Sequence, residues 1–192
     1  MKHLFIDGPI QSGKSTLLRQ CLAPYRDILG GFSSQRLTYE GQIPAAYRIT
    51  EAGDFCLQRE PDFTLPGIFQ IRTENGSQKH PEVFENTGVA LLEAARSCRL
   101  ILLDEIGGSE LLVPAFRKKL YQLLAGDIPC IGVVKLYQKA KAMSRTARYP
   151  REVAELNLQL RSYITEECDG EIIHFSGNTK KQIEGFLASI RL

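Results

Sequence analysis

The chain has 192 residues, of which 43% are hydrophobic and 24% charged, and its formal net charge is only +2. This composition excludes a disordered or fibrous chain, and no apolar run approaches the roughly 20 residues that a membrane helix needs. The five cysteines and three histidines are scattered, without C-x-x-C or zinc-site spacing. We therefore expect reduced thiols and, because the first strand begins almost at the N-terminus, a cytoplasmic protein without a signal peptide.

The first predicted elements are a short buried strand over 3–7 and an apolar-periodic helix over 15–22, joined by a glycine-bounded loop. The loop matches the phosphate-binding pattern G-x-x-x-x-G-K-[ST] (Walker A), which turns several backbone amides and a positive helix end toward one point. A chance glycine-rich turn is the competing interpretation. Lys14 would reach the β- and γ-phosphates and Ser15 would ligate Mg²⁺. The predicted nucleotide-binding residues are Gly8, Pro9, Ile10, Gln11, Ser12, Gly13, Lys14, Ser15 and Thr16.

The next third of the chain predicts strands. A Gly-Gly-Phe turn at 30–32 enters a strand carrying Arg36, and three β-prone stretches follow at 43–50, 55–59 and 68–73. This pattern is typical of a small antiparallel meander, around 37–75, inserted into an alternating fold. Arg36 could approach the phosphates as a catalytic residue, or it could be an exposed strand arginine.

A helix over 81–96 precedes the apolar run 100–103, which is typical of a central parallel strand and ends in Asp104 and Glu105. This pattern fits a Walker B element, in which Asp104 holds the metal shell and Glu105 orients or deprotonates the attacking water. Ordinary loop carboxylates would be favoured if the phosphate loop were absent. A glutamate after the Walker B aspartate also predicts a core in which another strand separates the two motif strands.

The remaining pattern predicts helices at 114–124, around 153–164 and at 178–190, the last capped by Asn178, and strands at 130–134 and 171–175. Alternating strands and helices predict a doubly wound, mainly parallel α/β sheet of the P-loop NTPase type, with a RecA-like core and a small antiparallel β insertion. We expect one domain over 1–192. Ligands bind such sheets at the carboxyl ends of the strands, where both motifs would lie.

Four stretches resemble one known family. They are the phosphate loop, the Gly-Gly-Phe stretch ending at Arg36, the segment 104–111 followed by Phe116, and 169–173 ahead of the last helix. Together they are similar to the cancer-related nucleoside-triphosphatase family of small P-loop NTPases. The resemblance implies a single α/β domain that hydrolyses nucleoside triphosphates (ATP, GTP and others) slowly, with Mg²⁺ and little base selectivity. Ser109 stands where that family usually has methionine.

A basic segment around 137–161 looks longer than in that family. Seven basic residues and two acidic ones lie between Lys135 and Arg161. This segment could be a solvated face, a nucleic-acid patch with salt-dependent affinity, or a lid that places an arginine on the γ-phosphate. We favour the lid over nucleic acid. The candidate lid arginines are Arg145, Arg148 and Arg151.

Three functions fit these motifs. The leading hypothesis is a Mg²⁺-dependent nucleoside-triphosphatase that uses Lys14, Ser15, Asp104 and Glu105. A nucleotide or small-molecule kinase is the second, and acceptor-dependent product formation would distinguish it. The third is a nucleotide-dependent regulatory protein whose slow turnover a partner stimulates. The sequence does not name such a partner, and it predicts no membrane contact.

Overall fold

The structure, a computed structural model, describes residues 1–40, 43–144 and 151–190. Within these ranges, the strands in chain order are β1 (His3–Asp7), β2 (Leu29–Tyr39), β3 (Ile43–Glu51), β4 (Gln58–Arg59), β5 (Ile68–Thr73), β6 (Gly76–Lys79), β7 (Leu100–Ile106), β8 (Cys130–Val134) and β9 (Gly170–His174). The α-helices are α1 (Lys14–Leu22), α2 (Val89–Ala94), α3 (Pro114–Ala125), α4 (Tyr137–Ser144), α5 (Glu152–Ser162) and α6 (Thr179–Ser189).

The strands form one mixed sheet in the order β6-β5-β3-β2-β7-β8-β1-β9, with β4 added alongside β2. The half from β2 to β9 is parallel, and β3, β5 and β6 extend it with antiparallel pairs. Strand β8 lies between β1 and β7, so another strand does separate the two motif strands. This arrangement confirms the predicted fold class.

The main core consists of two apolar layers, one on each face of the sheet, and a small third cluster lies at Leu37, Ala46 and Ile68. Alternation along β7 sends Leu100 and Leu102 to the layer under α1 and α6, and Ile101 and Leu103 to the layer under α2, α3 and α5. Both faces of the parallel strands are therefore covered, which explains why these strands read as continuous apolar runs. Among the described helices, none combines the length and apolarity needed to cross a membrane.

Several predicted boundaries were wrong. The helix expected over 81–96 is divided into a wider π turn (Phe84–Gly88), α2 and a tight 3₁₀ turn (Ala95–Ser97). Gly88 packs against the Phe116 ring, and a Cβ there would lie 2.9 Å from it. The strand expected over 55–59 is reduced to Gln58–Arg59, because the side chain of Gln35 holds the Cys56 carbonyl at 2.6 Å. Strand β6 and helix α4 were not predicted.

The predicted cap of the last helix is also wrong. Asn178 already has helical dihedral angles (φ −89°, ψ −8°), and its side chain makes no capping hydrogen bond. A capping side chain normally comes from an extended backbone, so Asn178 is poorly placed for that role. Instead, the Ser176 amide donates to Thr179 Oγ1 (2.9 Å) and forms a local turn ahead of α6.

Candidate functional site

The predicted phosphate loop joins the end of β1 to the start of α1. Its backbone has positive φ angles at Gly8 (143°), Gln11 (61°) and Gly13 (93°), so the chain curls around a concave space. A Cβ at Gly8 would lie 2.9 Å from the Phe175 Cβ, which explains a glycine at this close approach. Helix α1 begins at Lys14, and its unpaired N-terminal amides adjoin this concavity. The loop therefore has the form of an anion-binding site.

The Lys14 side chain lies inside this loop and is only 8% exposed. Its ammonium donates hydrogen bonds to the Gly8 carbonyl (3.1 Å), the Pro9 carbonyl (2.5 Å) and Ser12 Oγ (3.3 Å). Burial lowers the pKa of Lys14, whereas the nearby carboxylates, led by Glu105, oppose this shift. A phosphate entering the loop would give this ammonium a fully charged partner in place of neutral oxygens.

Ser15 and Asp104 are 89 positions apart in the chain, and the fold brings them into contact. Ser15 Oγ donates to Asp104 Oδ1 at 2.8 Å. Asp104 is 1% exposed because β7 is central in the sheet and α1 covers this face. Burial raises the pKa of the Asp104 carboxyl, and Arg19 is the main influence in the opposite direction. The two predicted metal ligands are therefore adjacent.

Arg19 is a buried cation that the sequence analysis missed. Its Nη1 donates to Asp104 Oδ2 (2.8 Å) and to the Ser15 carbonyl (3.1 Å), and its Nη2 donates to the Ser34 carbonyl (3.3 Å). The guanidinium is 5% exposed. It joins α1, β2 and β7 directly beneath the phosphate loop. A signal was available, since Arg19 is four residues after Ser15 and thus on the same helix face.

Glu105 follows Asp104 at an irregular point of β7, where the pairing with β8 shifts register between Asp104 and Ile106. Its side chain is 33% exposed, and its Oε2 forms an ion pair with Lys135 Nζ at 3.2 Å. The Glu105 amide donates to Ser34 Oγ at 3.3 Å. Lys135 immediately follows β8, just as Asp104 and Glu105 lie near the carboxyl end of β7. That position is the sequence signal for Lys135, which the charge pattern alone does not distinguish from the other basic residues of the segment.

Glu110 turns back onto the segment that follows β7. Its Oε1 accepts hydrogen bonds from the amides of Gly107 (2.6 Å) and Gly108 (2.7 Å). Burial raises the pKa of Glu110, and the Lys135 charge is the main opposing influence. Glu110 therefore fixes this backbone and also lies near a site cation.

Asp7, the residue before the phosphate loop, forms a second ion-pair cluster. Its Oδ2 accepts from Arg161 Nη2 (2.7 Å) and its Oδ1 lies 2.7 Å from His174 Nδ1. Asp7 is 6% exposed, whereas His174 is largely exposed. The cluster ties the start of the loop to α5 and to the edge strand β9.

The donor set suits Mg²⁺. A hydroxyl and a carboxylate provide hard oxygen ligands, and Mg²⁺ typically takes one or two protein ligands and completes its shell with water and substrate phosphates. Among the described residues, no cluster of three or more His, Cys, Asp or Glu side chains could hold a metal without such a substrate. The residues present therefore fit a cation that arrives with a nucleotide.

Arg36 and Arg151 are less closely tied to this site. Arg36 is half-buried on β2, two residues beyond Ser34 on the same face of the sheet. Within the described ranges, its guanidinium forms no ion pair with the site. Arg151 is exposed immediately before α5. Arg145 and Arg148 lie outside the described residues, so the lid stays a prediction.

Three features together are those of a P-loop NTPase: the phosphate loop, the buried Asp104 near the end of β7, and strand β8 between the two motif strands. The model of the NTPase family matches residues 3–168, and the chain belongs to this family of nucleoside-triphosphate-hydrolysing enzymes. This result confirms the resemblance found in the sequence. No curated protein sequence matches the chain.

Two solved structures share the fold at low sequence identity. The crystal structure of THEP1 from the hyperthermophile Aquifex aeolicus aligns with a TM-score of 0.64 and 17% identity, and the match covers 99% of each chain. The solution structure of a human cancer-related nucleoside triphosphatase aligns with a TM-score of 0.62 and 16% identity, covering 100% of this chain and 98% of that one. At these identities, the likeness establishes the architecture.

Proposed function

We propose that the protein hydrolyses nucleoside triphosphates to diphosphates and inorganic phosphate, with Mg²⁺ and with a broad range of bases. The observation that carries this proposal is the 2.8 Å contact between Ser15 of the phosphate loop and Asp104. It unites the phosphate-binding and metal-binding motifs at one edge of the sheet. Bound Mg²⁺ would neutralise charge on the β- and γ-phosphate oxygens.

The reaction assigns each side chain a separate task. Lys14 and the amides of residues 8–16 bind the triphosphate, and Ser15 and Asp104 hold the cation. Water attacks the γ-phosphorus, the bond from that phosphorus to the β–γ bridging oxygen breaks, and Glu105 receives the water proton. The greater exposure of Glu105 and its own ion pair with Lys135 support this division. Arg36 is proposed as a further phosphate contact from β2.

The groups named in this proposal address phosphate, metal or water, and none of them distinguishes one base from another. The human protein with the same fold is a nucleoside triphosphatase described without a particular base. We therefore propose ATP and GTP among several substrates. The basic segment around 137–161 is proposed as a lid. Contact with nucleic acid is the less favoured alternative, and it predicts affinity that falls steeply with salt.

A panel of ribonucleoside and deoxyribonucleoside triphosphates, assayed for phosphate release with and without Mg²⁺, tests the proposal. We expect Mg²⁺-dependent release from several nucleotides, all of it lost in Lys14→Ala. Adding nucleosides, nucleoside monophosphates and small metabolites to the same assay tests the kinase alternative. An acceptor that consumed ATP faster than water does would replace hydrolysis as the proposed reaction.

A further inference from the structure

Lys135 occupies a central place in the site without a role in the reaction described above. It follows β8, the strand between the phosphate-loop strand and the Walker B strand. Its ammonium lies 3.2 Å from Glu105 Oε2, and its amide donates to the Ile106 carbonyl at 2.8 Å. The side chain and the main chain of Lys135 therefore contact two successive residues at the end of β7.

Helix α5 fixes the backbone that carries this ion pair. Asn157 is fully buried, and its Nδ2 donates to the Lys135 carbonyl (3.1 Å) and to the Gly107 carbonyl (2.8 Å). Arg161 Nη1 adds a longer bond to the Lys135 carbonyl (3.4 Å). One side chain thus holds the chain just after Glu105 and the chain at Lys135 in a fixed relation.

The space around the ammonium is also restricted. A Cβ built on Gly108 would lie 2.9 Å from Lys135 Nζ and 2.9 Å from Glu110 Oε2. Both charged ends therefore converge on Gly108. Glu110 is in turn held by the Gly107 and Gly108 amides. An ordinary surface ion pair samples many geometries and contributes little to stability. Here the surrounding groups (Asn157, Gly108 and Glu110) are themselves held by hydrogen bonds or close packing.

We propose that Lys135 is a positioning residue of the hydrolytic site, which holds the Glu105 carboxylate in the orientation that receives the proton of the attacking water. A partly exposed glutamate can rotate about three side-chain bonds, and a small misplacement of a base lowers the rate steeply. Lys135 acts through Glu105 without forming a bond to the nucleotide. This inference rests on the proposed function of Glu105.

The test compares Lys135→Met and Lys135→Arg with the wild type, using steady-state phosphate release and the equilibrium affinity for a Mg²⁺-bound non-hydrolysable ATP analogue. For Lys135→Met we expect kcat to fall about tenfold, while KM and analogue affinity change less than about twofold. Lys135→Arg keeps a cation and should recover part of kcat. A KM that rises at unchanged kcat, or an unchanged kcat, would overturn the inference.

A double-mutant cycle distinguishes positioning from a separate structural effect. If Lys135 acts through the Glu105 carboxylate, adding Lys135→Met to the Glu105→Gln variant should lower kcat by less than about twofold. A further tenfold loss in that background would overturn the inference. Lys119→Met is the matched control, since Lys119 is also partly exposed and also ion-paired, with Glu93 on the outer helices. Its kcat should equal that of the wild type.

Gly108→Ala provides a second variant that retains every charge. The added methyl group would collide both with the Lys135 ammonium and with Oε2 of the buried Glu110. We expect kcat to fall several-fold, and a thermal unfolding curve measured in parallel reports the part of the effect that comes from Glu110. Suppose that wild-type hydrolysis requires Lys14 and Glu105. A normal kcat in both Gly108→Ala and Lys135→Met would then refute the inference about Lys135 and leave the proposed function standing. Wild type without Lys14-dependent hydrolysis refutes the proposed function itself.

Discussion

Asp104 and Glu105 are neighbours in the chain, yet they lie in different environments. Asp104 is 1% exposed and is enclosed by Ser15 and the buried guanidinium of Arg19. Glu105 is 33% exposed and has a partly exposed lysine as its ion-pair partner. The pairing of β7 with β8 shifts register at this point, so the two side chains do not follow the regular alternation of the strand. The buried side of the site is thus the surroundings of Asp104, and its water side is the surroundings of Glu105.

This comparison suggests that binding and turnover are separable in this enzyme. Substitutions on the buried side should affect folding, metal and nucleotide together, because a buried charge that loses its partner destabilises the protein. Substitutions on the water side should change the rate with little effect on affinity. The predictions below test that separation, beginning with the residue that both sides share.

Lys14→Ala should abolish nucleotide turnover and remove most nucleotide affinity. The Lys14 ammonium lies within the loop and is influenced electrostatically by both Asp104 and Glu105. Phosphate release and isothermal titration with a Mg²⁺-bound ATP analogue measure the two effects. Lys118→Ala, which removes an exposed lysine of α3, is the control. Retention of turnover in Lys14→Ala would mean that the loop is not the site.

Arg19→Met should lower the free energy of unfolding by about 3–5 kcal/mol, because it leaves the Asp104 carboxylate buried without its cation. Urea denaturation monitored by circular dichroism measures the change. The double variant Arg19→Met, Asp104→Asn removes both charges and should recover much of the stability. A loss below about 1 kcal/mol in the single variant would show that the buried side tolerates an unpaired charge, and the comparison would fail there.

Glu105→Gln should slow hydrolysis about a hundredfold or more, which is the usual scale for a lost general base. Affinity for a Mg²⁺-bound non-hydrolysable analogue should stay within about twofold, since the ion-pair partner of Glu105 is Lys135, whereas Ser15 and Arg19 contact Asp104. Single-turnover kinetics and equilibrium titration separate the two quantities. Equal losses of affinity and rate would contradict the division between the buried side and the water side of the site.

The parallel half of the fold was predictable, because its strands are continuous apolar runs and its motifs lie where such strands end. The strand 130–134 follows from its apolar run, and the glutamate after the Walker B aspartate predicts that another strand separates the two motif strands, although it does not say which one. The antiparallel half was less predictable. The strand predicted over 55–59 is confined to Gln58–Arg59, and the Cys56 carbonyl before it accepts a hydrogen bond from the Gln35 side chain. This tertiary contact leaves no signal in the local sequence.

The site divides in the same way. The phosphate loop and the acidic pair carry sequence patterns, whereas Arg19 and Asn157 act through contacts that only the fold creates. Asn157 did leave a trace, since it is a polar residue four positions after Val153 and three before Leu160 on the buried stripe of α5. A polar residue in an apolar stripe indicates a buried hydrogen bond without naming its partner.

The smallest expected effect concerns His3, at the end of β1 that is remote from the phosphate loop. It helps to distinguish a loss of activity at low pH from a loss of folded protein. His3 is fully buried, with its ring nitrogens bonded to the Leu124 carbonyl and the Cys130 amide. Burial lowers the pKa of His3 from 6.5 to about 4. As the pH falls between these values, the unfolded chain takes up a proton that the folded chain does not.

Stability should therefore decline by up to about 1.4 kcal/mol per pH unit in this interval from His3 alone. Urea unfolding at several pH values measures the slope. His3→Gln, which keeps a donor and an acceptor but does not titrate, should reduce the slope, and His80→Gln is the comparison at a more exposed ring. An identical slope in wild type and His3→Gln would assign the acid sensitivity to other groups. Any loss of activity at low pH would then have to be explained by the titration of other groups, and pH alone would not distinguish the buried side of the site from its water side.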